Sequence, residues 1–174
     1  MSLFSPDYFT ARQRFRKAVM KAGGALETIP LDAKGPNGED LGIDIAWFGA
    51  RNPRRALVHS SGLHGVEGFA GSAIQLQFLE NAPALAPDAG LMITHILNPY
   101  GMAWLRRFNE NNVDLNRNFV DPQSGATTPP VYSKLNAFLN PPTPPAADLF
   151  YLRVALLILQ QGMPALKQGV VGGQ

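Results

Sequence analysis

The segment between Arg55 and Leu97 constrains this chain more than any other, because it reads as strand, helix and strand in succession. After the turn-forming pair Asn52-Pro53, Arg55 to Ser60 is a short apolar run expected to form a buried strand. Phe69 to Leu79 has helical character, Asn81 to Ala89 is an Ala- and Pro-rich connector, and Leu91 to Leu97 reads as a further strand. Such an alternation predicts a crossover unit and therefore a sheet that is at least partly parallel.

The flanking segments fit around that unit. Ser5-Pro6-Asp7 reads as a helix start, and Tyr8, Ala11, Phe15, Val19 and Ala22 recur at helical spacing until Gly23-Gly24. Ala25 to Leu31 and Leu41 to Phe48 alternate like strands around Gly35-Pro36-Asn37-Gly38, which predicts an antiparallel hairpin. From Asn98 to Pro145 the chain is rich in Asn, Pro and Gly, so it is expected to be mainly loop, with a short helix near Ser133 to Leu139. Asp148 to Gln161 reads as a strongly apolar helix, and Gly169 to Gly173 as the start of a strand or loop.

A chain of 174 residues, 45% hydrophobic and 16% charged, is long and apolar enough for one α/β domain with a packed core. A net charge of +2 without a long basic tract argues against nucleic acid as a partner, although the sequence pI is near 9.1. The densest basic stretch, Arg12, Arg14, Arg16, Lys17 and Lys21, is expected to be the solvated face of the first helix. The absence of cysteine excludes disulfides and thiolate ligands, so a metal here must use histidine, carboxylate or water. No apolar run is long enough to span a bilayer and the N-terminus lacks the pattern of a secretory signal, which makes a cytoplasmic protein without membrane contact the default expectation.

Two clusters carry the chemistry. His64 and Glu67 form an H-x-x-E pair within Gly62-Leu63-His64-Gly65-Val66-Glu67-Gly68, at the predicted carboxyl end of a strand, where ligands collect in open α/β sheets. An imidazole and a carboxylate facing one point suit zinc, whose hydrolytic sites take three protein ligands and keep one position for water. On a helix the same spacing would be an ordinary polar pair. The second cluster comprises Asn98-Pro99-Tyr100-Gly101, then Trp104, Arg106, Arg107 and Asn109, and finally Asp114-Leu115-Asn116-Arg117-Asn118-Phe119. Arginine forks and asparagine amides there are suited to anionic substrates and developing negative charge, or else to a solvated turn-rich loop. His59 and His95, inside predicted strands, are expected to be buried and structural.

H-x-x-E after one strand, N-P-x-G after the next and D-L-N-R-N-F beyond a short loop form an ordered set that resembles the zinc carboxypeptidase superfamily from about Val58 to Phe119. Through H-G-V-E-G and V-D-L-N-R-N-F the chain is also similar, over nearly its whole length, to an uncharacterised bacterial branch of that superfamily. The resemblance implies a three-layer α/β sandwich with a mixed, partly parallel sheet, of which residues 1–174 are the N-terminal part of a single domain. It implies that His64 and Glu67 are the first two zinc ligands, that Arg107 polarises the scissile carbonyl, and that Asn116 and Arg117 bind a substrate's terminal carboxylate. Arg106 is the adjacent candidate for the polarising role, and Tyr100 stands where the family often has an acid.

The family also needs a third zinc ligand, a downstream histidine, and a late glutamate that activates the water. Neither has a candidate, because the last histidine is His95, the last glutamate is Glu110, and only Asp121 and Asp148 are acidic beyond Arg117. The sequence therefore reads as the N-terminal fragment of a zinc-dependent hydrolase of amide or peptide bonds, acting on a small peptide or acyl-amino-acid with a free carboxylate. Two alternatives are an aspartoacylase-like deacylase of N-acyl amino acids and a catalytically inactive truncated chain. A serine hydrolase, suggested by Ser60-Ser61 beside His64, lacks G-x-S-x-G around either serine.

Overall fold

The computed structural model describes residues 2–82, 84–119, 121, 130–139 and 149–172. They fall into two compact units, residues 1–116 and 117–174.

The first unit opens with α1 (Tyr8–Lys21), started where predicted by Asp7, whose carboxylate accepts from the Thr10 amide at 2.7 Å. The hairpin follows as β1 (Ala25–Lys34) and β2 (Asp40–Gly49), antiparallel with Ile29 opposite Ile43. Then come β3 (Arg55–Ser60), a single 3-10 turn over Gly65–Glu67, α2 (Gly68–Glu80) and β4 (Ala89–His95). The sheet order is β1-β2-β4-β3, with β4 antiparallel to β2 and parallel to β3. The fold is thus mixed α/β with an open, partly parallel sheet, and α2 is the predicted crossover.

The core lies between that sheet and the two helices. Phe15 and Val19 of α1, Leu79 of α2, Ala46 of β2 and Leu91 and Ile93 of β4 form one buried cluster. Burying each of the larger side chains stabilises the fold by roughly 1.5 to 3 kcal/mol relative to exposure. Tyr8, Ala11, Leu41, Ile96 and Met102 form a second cluster. Its Tyr8 hydroxyl donates to the Gly42 carbonyl at 2.6 Å and accepts from the Gly42 amide at 3.1 Å, which fastens α1 to β2.

Asp44 of β2 is the charged centre of the α1 contact, its side chain fully buried. It accepts five hydrogen bonds, from Arg12 at 2.9 and 3.1 Å, Arg16 at 2.7 and 2.9 Å, and Thr28 at 2.6 Å. Burial pushes its pKa up, but the Arg16, Arg12 and Thr28 hydrogen bonds outweigh it and hold the carboxyl at about 2. The expectation of a solvated basic face on α1 is corrected accordingly. Arg12 and Arg16 turn inward to Asp44, and Arg14 binds the carbonyls of Ser2, Leu3 and Phe4.

His95 is buried as expected, stacked on Phe15 with ring centroids 4.5 Å apart and 3.0 Å from the Ser72 hydroxyl through Nε2. Burial pulls its pKa down to about 4, so the ring is neutral near pH 7. By contrast, β3 is not the buried strand its composition predicts. It pairs only with β4 among the described strands, and Leu57 and Val58 are 62% and 59% exposed. An apolar run reports affinity for a core but not which side of the sheet receives a neighbour.

Beyond β4, α3 (Pro99–Ala103) is capped by Asn98, and residues 104–116 are irregular. In the second unit, α4 (Pro130–Leu139) begins a turn earlier than predicted, and α5 (Phe150–Gln161) is the expected apolar helix. Its expected start at Asp148 lies outside the described residues. The strand or loop expected from Gly169 is instead the last turn of α6 (Met163–Gly172). No helix among the described residues is long and apolar enough to cross a membrane.

Candidate functional site

The site forms where two strands end side by side. His64 caps the 3-10 turn after β3 and Glu67 closes it, so both side chains sit at the carboxyl end of a parallel strand and the start of α2. Asn98 follows β4. Its side-chain oxygen accepts from the Gly101 amide at 2.8 Å, and its amide nitrogen donates to the Arg107 carbonyl at 3.2 Å. The Arg107 and Arg106 carbonyls accept in turn from the Gly65 and Val66 amides, each at 3.2 Å.

That stitching requires the glycines of both motifs. A Cβ on Gly65 would lie 2.0 Å from the Gly101 carbonyl carbon, and one on Gly101 would lie 2.6 Å from Asn98 Nδ2 and 2.8 Å from the Phe108 carbonyl oxygen. The metal-type motif and the N-P-Y-G turn therefore touch backbone to backbone.

His64 is buried and sits between two carboxylates. Its Nδ1 is 3.0 and 3.1 Å from the two Glu67 oxygens, and its Nε2 is 3.0 Å from Asp114 Oδ1. Asp114 has a fully buried side chain, and it also accepts from Arg107 Nε at 3.2 Å and from the Asn116 amide at 3.0 Å. Burial raises the Asp114 pKa, but hydrogen bonds from His64, the Asn116 amide and Arg107 together bring it below the usual carboxylate value. Arg107 reaches toward Glu67 as well, with 3.9 Å between a terminal nitrogen and Oε1.

This arrangement fits a cation. Asp114, held from three directions, faces Nε2 of His64 while Nδ1 faces the Glu67 carboxylate, and because an imidazole lone pair and a carboxylate both accept, a proton or a cation must lie between Nδ1 and Glu67. With a cation in that position, Nδ1 and the Glu67 carboxylate would be two donors to one point and Asp114 would fix the ring from behind, as metal-binding histidines commonly are fixed. They are two donors only. Among the described residues no group of three His, Cys, Asp or Glu side chains could hold a metal ion. The same geometry disposes of His64 as a base for Ser60 or Ser61, since both ring nitrogens already face carboxylates.

The structure brings His64, Glu67 and Arg107 together and sets the Asn116 backbone against Asp114. Arg117 is the first residue of the second unit, so its joint role with Asn116 remains an expectation. Arg106 is engaged elsewhere, donating to Asn112 Oδ1 at 2.9 Å and lying 5.9 Å from the Tyr100 ring centre. That leaves Arg107 as the arginine beside the pair. The residue given no role from sequence is Asp114, the first letter of D-L-N-R-N-F. A lone acid before Asn116-Arg117 was its only signal, because the contact with His64 spans fifty positions.

No functionally curated protein matches the sequence. Among solved structures, Macrostomum lignano glutaminyl cyclase is 20% identical, with a TM-score of 0.40 over 53% of this chain and 32% of that one. Fimbriiglobus ruber glutaminyl cyclase is 12% identical, with a TM-score of 0.37 over 55% of this chain and 41% of that one. A Zn-dependent exopeptidase from Parabacteroides distasonis is 12% identical, with a TM-score of 0.34 over 78% of this chain and 49% of that one. The chain thus spans at most about half the length of these structures. Over residues 4–174 the sequence matches the family described as "Protein of unknown function (DUF2817)", and the chain belongs to that family.

Proposed function

We propose that this chain carries part of a zinc-dependent hydrolytic centre for amide or peptide bonds, with His64 and Glu67 as two of the metal ligands. The observation that supports this most is His64 itself, with Nδ1 facing Glu67 at 3.0 Å and Nε2 fixed by the buried Asp114 at 3.0 Å. Bound zinc would lower the pKa of a water toward neutrality and act as a Lewis acid on a carbonyl. Asp114 would orient the imidazole and, with zinc on Nδ1, accept a hydrogen bond from Nε2–H. Arg107, 44% exposed and anchored through Nε, presents the rest of its guanidinium beside the pair, where it would stabilise negative charge developing on a carbonyl oxygen. Asn116 and Arg117 are proposed to hold a carboxylate of the substrate, a small peptide or an acyl-amino-acid.

A third donor and a water-activating carboxylate are needed from outside this set. His95 is buried against Phe15, and His59 faces Gln75. The competing reading is an inactive chain that binds zinc weakly, favoured by the absence of a group of three ligating side chains among the described residues. Zinc titration by calorimetry on metal-stripped protein tests the centre. Binding that disappears in both His64→Ala and Glu67→Gln supports it, and zinc binding that neither substitution weakens overturns it. Turnover of matched peptide and acyl-amino-acid substrates in the presence of zinc then separates the active readings from the inactive one.

A further inference from the structure

Beside the metal-type pair lies a cleft of about 270 Å³ between the outer edge of β3 and α2, with His59, Ser61, Glu67 and Ile74 among its lining residues. Two of these are not explained by the reading above. Strand alternation puts His59 and Ser61 on the same face of the chain, toward α2. Ser61 Oγ is buried and has no hydrogen-bond partner among the described residues. His59, expected to be a buried structural residue, is half-buried and lines the cleft.

The His59 ring has a defined tautomer. Gln75 Nε2 donates to the Thr94 carbonyl at 3.0 Å, which fixes the amide orientation because only the NH₂ end can donate there. The second hydrogen of that same nitrogen faces His59 Nδ1 at 3.2 Å. Nδ1 is therefore the acceptor and, in the neutral ring, Nε2 carries the proton. Gln75 Oε1 is left buried without a partner, a cost that this orientation imposes. With Nδ1 engaged, Nε2–H is the ring group available to the cleft.

We propose that His59 is a substrate-binding donor: its Nε2–H, held in that tautomer by Gln75 as a positioning residue, donates to a carbonyl oxygen of an amide or peptide substrate lying in the cleft. The assignment rests on the amide-hydrolase reading for the class of ligand, since Glu67 borders both the cleft and the metal-type pair. It does not rest on a metal being bound.

The test uses the metal-free 174-residue chain with ¹⁵N-labelled histidine and N-acetylalanine methylamide as the probe. Long-range ¹H–¹⁵N spectra should show His59 as the Nε2–H tautomer, and the probe should shift its Nε2 resonance. His59→Phe should raise the probe's Kd by up to about tenfold, the worth of one hydrogen bond. His59→Gln, which restores an N–H at similar reach, should recover part of that loss, and Gln75→Leu should mix the tautomers. An Nδ1–H tautomer in the wild-type protein, an absence of any probe-induced shift, or unchanged probe affinity in a folded His59→Phe protein would each overturn the proposal; the first two need no variant. Probe binding through His59 in a protein without His64-dependent zinc binding would sink the metal reading alone.

Discussion

Neutralising Asp44 tests the physics of this fold most directly. In Asp44→Asn the five donors from Arg12, Arg16 and Thr28 meet an amide in place of a carboxylate. The Asp44 carboxyl is held at about 2 against its usual 3.8, which corresponds to at most roughly 2.5 kcal/mol of stability at neutral pH. Arg16 is 38% exposed, so water screens its share and the expectation falls to about 1 to 2 kcal/mol. Because the folded-state pKa is depressed, this stabilisation is complete above pH 3.8 and is lost as pH falls toward 2. Urea unfolding of the wild-type and Asp44→Asn proteins should therefore show a gap of that size at pH 7 that closes between about pH 4 and pH 2. His95, whose pKa burial pulls down to about 4 against the raising effect of the Asp44 charge, also costs stability as pH drops below its usual 6.5, and it does so more in Asp44→Asn, so the comparison is repeated in a His95→Gln background to isolate Asp44. A gap that stays constant down to pH 2 would refute the assignment of the shift to Asp44.

Three further outcomes follow from the site. Asp114→Asn should lower His64-dependent zinc affinity by roughly 10- to 100-fold while leaving secondary structure intact, measured by the same calorimetric titration; unchanged affinity would remove Asp114 from the centre. Gly65→Ala should destabilise the first unit by about 1 to 3 kcal/mol in urea unfolding, because the new methyl group meets the Gly101 backbone. In any preparation that turns over substrate, Arg117→Ala should raise KM for substrates with a free carboxylate, with little change for their amides; an equal KM for both would end its proposed role.

Much of the frame was legible because periodicity is local. Alternation gave the β1–β2 hairpin, and the strand-helix-strand pattern gave the parallel pairing of β3 with β4. The pairing of His64 with Glu67 could be read because three positions and flanking glycines suffice to place it. What could not be read depended on distant partners. Arg12 and Arg16 looked like a wet face until Asp44, about thirty residues on, turned them inward. Asp114 had no visible task because His64 lies on the other side of two helices, a strand and a loop. The exposure of Leu57 and Val58 depends on the sheet order, which composition does not encode. Gly169 at the α6 end misled for the opposite reason: a weak local preference for leaving the helix was overridden where the helix was already formed.

The backbone contact between Gly65 and Gly101 has a consequence for how sequences of this type can diverge. Side chains normally absorb small insertions or shifts by changing rotamer, but here no side chain separates the two turns. A residue gained or lost in either loop displaces the other directly, and with it the carbonyls of Arg106 and Arg107 that grip the Gly65 and Val66 amides. A functional variant that alters the length of one loop should therefore carry a matching alteration in the other.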